Sequence, residues 1–115
     1  MADETMAEAG EMTPVELKER LDNEHPIVLV DVRQPHEWSI ADLPEVGQLR
    51  IPLDQFMDRM SELDPDDNIV IYCRSGARSG RAAEELAARG YGQVYNLVGG
   101  LLRWREDVDP SVPEY

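Results

Sequence analysis

Two short runs in this 115-residue chain constrain its fold most: Ile27-Val28-Leu29-Val30-Asp31-Val32 and Ile69-Val70-Ile71-Tyr72-Cys73. Both are β-branched and apolar on successive residues, not on alternate ones. A strand with one wet face alternates apolar and polar side chains; a strand apolar on both faces must be covered on both, as in the middle of a parallel sheet. The covering layers are legible between and around the runs. Thr13-Pro14-Val15-Glu16 combines a capping hydroxyl, a proline at the first helical position and a glutamate placed for a capping box. It predicts a helix from Thr13 to about Asn23, with Leu17 and Leu21 on one face. Pro35 opens a short helix from His36 to about Ala41, and Leu49-Arg50-Ile51 is a second short strand stopped by Pro52. Asp54 can cap a helix reaching Leu63, with Phe56, Met57, Met60 and Leu63 as its apolar stripe. Arg81 to Arg89 is a helix ended by Gly90, Val94 to Leu97 is a strand, and Gly99-Gly100 turns into a last helix from Leu101 to about Glu106. Strands alternating with helices predict an α/β fold, a mainly parallel sheet with helices on both faces. Residues 1–10 are expected to be a disordered acidic tail, residues 11–108 the domain, and residues 109–115, with two prolines, a C-terminal tail.

Composition narrows the partners. Asp and Glu number 24 against 11 Lys and Arg, a formal net charge of −13. That balance argues against nucleic acid and against anionic lipid, both of which need clustered cations. No apolar run approaches the roughly 20 residues of a membrane helix, and the acidic start of the chain lacks a signal-peptide pattern. A single cysteine, Cys73, excludes an intrachain disulfide and points to the reducing cytoplasm. No Cys/His spacing suits a metal, and no glycine-rich nucleotide loop is present, so no cofactor is expected. Lys18 is the sole lysine beside ten arginines. High-salt solubility and a GC-rich genome both account for that bias. In either case surface carboxylates repel at low ionic strength. Screening lengths shrink from about 10 Å at 0.1 M salt to about 3 Å at 1 M. The melting temperature should therefore rise over that range of KCl, and a fall would exclude surface repulsion as a destabilising force.

The chemistry-bearing segment is Cys73-Arg74-Ser75-Gly76-Ala77-Arg78-Ser79-Gly80-Arg81. Ligands of parallel α/β sheets bind beyond the carboxyl ends of the strands, and Cys73 closes the more hydrophobic one. A loop between a buried strand and a helix start has convergent, unsatisfied N–H groups, which attract an anion. Three arginines there, in so acidic a chain, reinforce the effect. Helix dipole and arginines together favour thiolate over thiol, which makes Cys73 a candidate nucleophile. Asp31 and Arg33 are read as an ion pair or loop-holding pair, Trp38 and Trp104 as packing residues, His36 as a packing or capping residue and His25 as exposed.

Cys73-Arg74-Ser75-Gly76-Ala77-Arg78-Ser79 resembles the active-site loop of single-domain rhodaneses, which are sulfurtransferases. Leu29-Val30-Asp31-Val32-Arg33 followed by Pro35-His36-Glu37-Trp38, then Ile51-Pro52-Leu53, then Val98-Gly99-Gly100-Leu101 with Trp104, resemble further motifs of that family in the same order. The resemblance spans about Thr13 to Trp104. It is nearest to rhodanese domains fused to enzymes that activate ubiquitin-like sulfur carriers. It implies a five-stranded parallel sheet and a Cys73 persulfide that carries sulfane sulfur from a donor such as thiosulfate to a thiophilic acceptor. Arg74, Ser75, Gly76, Ala77, Arg78 and Ser79 would form the substrate-binding cradle, with Arg74 and Arg78 attracting the donor. Donor and acceptor would be small molecules or proteins, a sulfur-carrier protein among them. Ala41 to Gln48 departs from the family's usual Gly-His-Ile-Pro-Gly-Ala, which implies a different rim. Two rivals follow from the residues. A cysteine phosphatase or arsenate reductase has five residues between cysteine and arginine, where four separate Cys73 from Arg78; a non-catalytic sulfur-relay docking module would not need the cysteine.

Overall fold

The computed structural model describes residues 8–115. Residues 1–7 of the expected tail lie outside the described residues. Five strands form one sheet: β1 (Gly10–Met12), β2 (Val28–Asp31), β3 (Leu49–Arg50), β4 (Ile69–Tyr72) and β5 (Val94–Leu97). Their spatial order is β1-β5-β4-β2-β3, and every pairing is parallel. All strands therefore present their carboxyl ends at one edge, where Asp31, Cys73 and Leu97 lead into loops. The helices are α1 (Pro14–Asp22), α2 (Pro35–Trp38), α3 (Phe56–Arg59), α4 (Ala77–Ala88) and α5 (Gly100–Asp107).

The central strand β4 is buried along its whole length, and its side chains divide between two cores. Ile69, Ile71 and Cys73 join Val30, Phe56, Met60, Ala82, Ala83 and Leu86 on the side covered by α3 and α4. Val70 and Tyr72 join Leu29, Leu17, Leu101 and Trp104 on the side covered by α1 and α5. This is the two-faced burial that the apolar runs require. Leu17 and Leu86 are fully buried, and burial of such a side chain contributes about 2 kcal/mol. The capping box at α1 forms as the sequence implies: Glu16 N–H donates to Thr13 Oγ1 at 3.2 Å and Thr13 N–H to Glu16 Oε1 at 2.8 Å. No helix among the described residues is long and apolar enough to cross a membrane.

Four local differences from the sequence reading have physical causes. Strand β1 starts at Gly10, inside the expected tail, and pairs with β5 from Gly10–Tyr95 to Met12–Leu97. Three residues at an edge are too few to show a period. Helix α2 stops at Trp38, short of Ala41, because the buried guanidinium of Arg33 takes the carbonyls of Glu37 (3.3 Å) and Ala41 (2.7 Å). The expected helix from Asp54 to Leu63 is broken into two 3₁₀ turns, Leu53–Gln55 and Met60–Glu62, around α3. Those tighter turns bring Phe56, Met60 and Leu63 into the core and leave Met57 exposed; Asp54 caps nothing and accepts from Gln34 Nε2 at 3.0 Å. Helix α4 begins at Ala77, four residues before Arg81, so Ala77, Arg78 and Ser79 form its first turn.

Candidate functional site

The residue after β4 is Cys73, 1% exposed. The chain turns back over it through Gly76, whose φ of +99° is a left-handed conformation that side chains disfavour. The turn places Gly76 N–H 3.1 Å and Ser79 N–H 3.4 Å from Cys73 Sγ, and the Ser79 hydroxyl at 3.3 Å. Ala77 and Arg78 carry the first two N–H groups of α4, which helix geometry leaves without intrahelical acceptors.

The loop is held from behind by α5. Leu101 N–H donates to the Cys73 carbonyl and Leu102 N–H to the Arg74 carbonyl, both at 3.0 Å. Those two carbonyls are thus turned to a helix N-terminus. This close approach needs Gly100: a Cβ there would lie 2.4 Å from Cys73 O and 2.5 Å from Arg74 O. The Gly99-Gly100 pair, a turn and part of a family motif in the sequence, is the backing of the loop.

A layer of charged groups lies beside it. Arg78 binds Glu37 with both terminal guanidinium nitrogens, Nη1 at 2.7 Å and Nη2 at 2.9 Å. Glu37 is 6% exposed and also accepts from the Tyr115 hydroxyl at 3.0 Å. Arg33, fully buried, binds both oxygens of Asp31 at 3.0 Å and donates to the Tyr115 hydroxyl, also at 3.0 Å. Asp31 further accepts from Arg50 at 2.6 Å, and Arg50 binds Asp42, which accepts from the Tyr72 hydroxyl. The Asp31–Arg33 pair expected from the sequence is present, and it extends into a network through the unusual Ala41–Gln48 segment.

Electrostatics follow this wiring. Bonding to Arg78 holds the Glu37 carboxyl at about 2, below its ordinary 4.5, against the opposing effect of burial. Burial by itself would ease the proton off Arg33, but Asp31 and Tyr115 outweigh it and hold the guanidinium more firmly charged. Burial, with Asp31 and Asp42, pushes the Tyr72 phenol up. A carboxylate held low in the folded state stabilises the fold above its unfolded pKa, near 4.5, and that contribution fades as pH falls toward 2. Glu37→Gln should therefore cost about 2 kcal/mol at neutral pH, between the values for exposed and fully buried pairs. Urea unfolding of the two proteins should converge as pH falls from 4.5 to 2; a gap that stays constant would separate the destabilisation from the Glu37 charge.

Of the sequence-derived site residues, Cys73, Gly76 and Ser79 meet at the sulfur. Arg78 is engaged by Glu37, while Arg74, Ser75 and Ala77 are exposed. Arg74 Nε donates to the Tyr115 carbonyl, and its guanidinium stands 5.4 Å from the centre of that ring. Trp104 is buried in the core and Trp38 stacks 5.1 Å under Arg50, both packing roles; His25 and His36 are exposed. Sequence reading missed Glu37, Asn96, Gly100 and Tyr115 as parts of the site. Tyr115 in particular belongs to the expected tail, whose Val112 is buried in the α1/α5 core. Glu37 lies in the motif Pro35-His36-Glu37-Trp38 and Gly100 in Val98-Gly99-Gly100-Leu101, and those motifs are the available signal.

Fold and loop together define an α/β protein with a single cysteine in an N–H-lined cradle at the carboxyl edge of a parallel sheet. The chain belongs to the rhodanese-like family, whose domain description, Rhodanese-like domain, matches residues 13–107. It is 42% identical over 103 residues to a protein of Allochromatium vinosum named Sulfurtransferase, covering 90% of this chain and 94% of that one. It is 31% identical over 117 residues to the Zea mays protein Adenylyltransferase and sulfurtransferase MOCS3-2, covering 96% of this chain but only 24% of that protein. Among solved structures it is similar to a rhodanese-like domain protein of Staphylococcus aureus, with a TM-score of 0.76 and 28% identity, covering 92% of this chain and 98% of that chain.

Proposed function

We propose that this chain is a sulfurtransferase that carries sulfane sulfur on Cys73, taking it from an anionic donor such as thiosulfate. The observation that supports this reading most is the convergence of two N–H groups, those of Gly76 and Ser79, with the Ser79 hydroxyl beside them, within 3.4 Å of one buried sulfur. The Cys73 thiolate attacks the outer sulfur of thiosulfate; a new S–S bond forms, the donor's S–S bond breaks, and sulfite leaves with the electron pair. The persulfide's terminal sulfur stands about 2 Å beyond Sγ. Its negative charge would be met by the spare N–H groups of Ala77 and Arg78. A thiophilic acceptor then attacks that terminal sulfur, the S–S bond breaks, and Cys73 returns as thiolate. Cyanide would leave as thiocyanate; a thiol or a sulfur-carrier protein is an acceptor of the same chemistry. The relative from Allochromatium vinosum, matched over nearly its whole length, adds weight to sulfur transfer. A lone cysteine that must cycle through thiolate suits a reducing compartment such as the cytoplasm.

Steady-state formation of thiocyanate from thiosulfate and cyanide tests the proposal. A carrier that is loaded and then discharged gives parallel double-reciprocal lines. Intersecting lines would overturn the covalent route. Hydrolysis of an aryl phosphate without thiocyanate formation would instead favour the phosphatase rival.

A further inference from the structure

The Ser79 hydroxyl has one proton and two neighbours that can take it. Cys73 Sγ lies 3.3 Å from Ser79 Oγ, and Asn96 Oδ1 lies 2.6 Å from it. The orientation of the Asn96 amide is set by its other end, because Nδ2 donates to the Gly76 carbonyl at 3.1 Å. Its oxygen must therefore face the serine, and an amide oxygen can only accept. At 2.6 Å the serine proton points to Asn96, which leaves the serine oxygen as an acceptor toward sulfur. That arrangement suits a thiol, whose S–H then donates to Ser79. It does not suit a thiolate, which needs the serine proton for itself.

We infer that Asn96 is a positioning residue that competes with Cys73 for the Ser79 proton, and so sets how readily the sulfur bears negative charge. Register places it there: on β5 it pairs with Ile71, two residues before Cys73 on the neighbouring strand. In the thiol the serine hydroxyl stays on Asn96. In the thiolate it rotates to sulfur, and Asn96 Oδ1 loses its donor. No proton is transferred; one hydrogen bond is redirected. The inference rests on the proposed sulfur chemistry only for its consequence. In a persulfide Sγ is neutral and the serine stays on Asn96, whereas in discharge Sγ departs as a thiolate and must win the proton back. Asn96 thus restrains discharge.

Other charges around Cys73 are fixed. Arg78 on α4 is bound by Glu37 from α2, which also accepts from the Tyr115 hydroxyl. Arg74 is exposed beside it, Arg81 is exposed on α4, and the Asp31–Arg33 pair after β2 is internally neutralised. On α5 Arg103 is paired with Asp107. None of these groups is altered by the variants below.

The test is the ultraviolet absorbance of the thiolate, titrated against pH and read as a difference from Cys73→Ser. It needs no sulfur donor, so its outcome is independent of whether sulfur is transferred. Asn96→Leu should move the midpoint down by roughly half to one pH unit, the scale of one hydrogen bond. Ser79→Ala should move it up, and Asn96→Leu added to Ser79→Ala should then have no effect. Asn96→Ala is the second variant should leucine not fit. A midpoint that rises or stays unchanged in the Asn96 variants overturns the inference. So does a shift that persists without the serine, since Asn96 would then be acting through the Gly76 carbonyl alone.

Discussion

Cys73→Ser is expected to lower sulfur transfer by about a thousandfold or more, the usual scale for loss of a covalent nucleophile. The reason lies in the two states the residue must adopt. A serine hydroxyl is not ionised by a cradle of N–H groups at neutral pH, and an oxygen does not form the exchangeable S–S link on which transfer depends. The fold should tolerate the change. Serine is close in size to cysteine, and the Gly76 and Ser79 N–H groups, 3.1 and 3.4 Å from Cys73 Sγ, point toward its hydroxyl, so it is not buried away from every donor. The urea midpoint should move little while thiocyanate formation disappears. Retained turnover in a folded Cys73→Ser protein would place the chemistry elsewhere.

Gly100→Ala should act through the backbone alone. Gly100 has a φ of +56°, and the added methyl carbon would approach two carbonyl oxygens at 2.4 and 2.5 Å. Neither oxygen is free to retreat, because Leu101 and Leu102 N–H hold the same pair at 3.0 Å. Either α5 lifts from the loop or the loop carbonyls swing away, and in both cases the Cys73–Ser79 cradle loses its backing. A cost of about 3 kcal/mol or more is expected, from left-handed strain plus a clash with backbone. That is a large share of the 5–15 kcal/mol typical of a domain. Sulfur transfer should fall further than stability explains, by about a hundredfold under conditions where the variant is still folded. The comparison is one of kcat/KM and urea midpoint for the same preparation. An alanine variant with unchanged values would mean that α5 does not brace the loop.

A related expectation concerns salt. Arg78 is neutralised by Glu37, so long-range attraction of a donor rests on Arg74 and Arg81, both exposed. Exposed charges are screened strongly. The KM for thiosulfate should rise from about 0.1 M to about 1 M KCl, measured at fixed pH. A KM that falls would mean that the field of the whole acidic chain controls donor approach.

β2 and β4 were legible because burial on both faces writes itself as a continuous apolar run, and α1 because its cap is local. Cys73 was legible because strand, small polar loop and helix are consecutive. The parts that were missed depend on contacts between distant segments. Glu37 reaches Arg78 across 41 residues and Tyr115 reaches Arg33 across 82, and no local period announces either. Asn96 was hidden for another reason: within Val94-Tyr95-Asn96-Leu97 it reads as one polar residue in a short strand, and only the parallel register with β4 brings it to the serine. The early start of α4 was missed because Ala77-Arg78-Ser79 has no apolar stripe; its helical state follows from the turn at Gly76, not from amphipathicity.

Covalent carriage of sulfur on Cys73 would change the mass of the protein itself. The most direct test is the intact mass of the protein after incubation with thiosulfate and removal of the excess. The expected result is a gain equal to one sulfur atom, located on the peptide that contains Cys73, lost on addition of cyanide and absent from Cys73→Ser. A wild-type mass that stays unchanged while thiocyanate is being formed, or the same gain in Cys73→Ser, would contradict it.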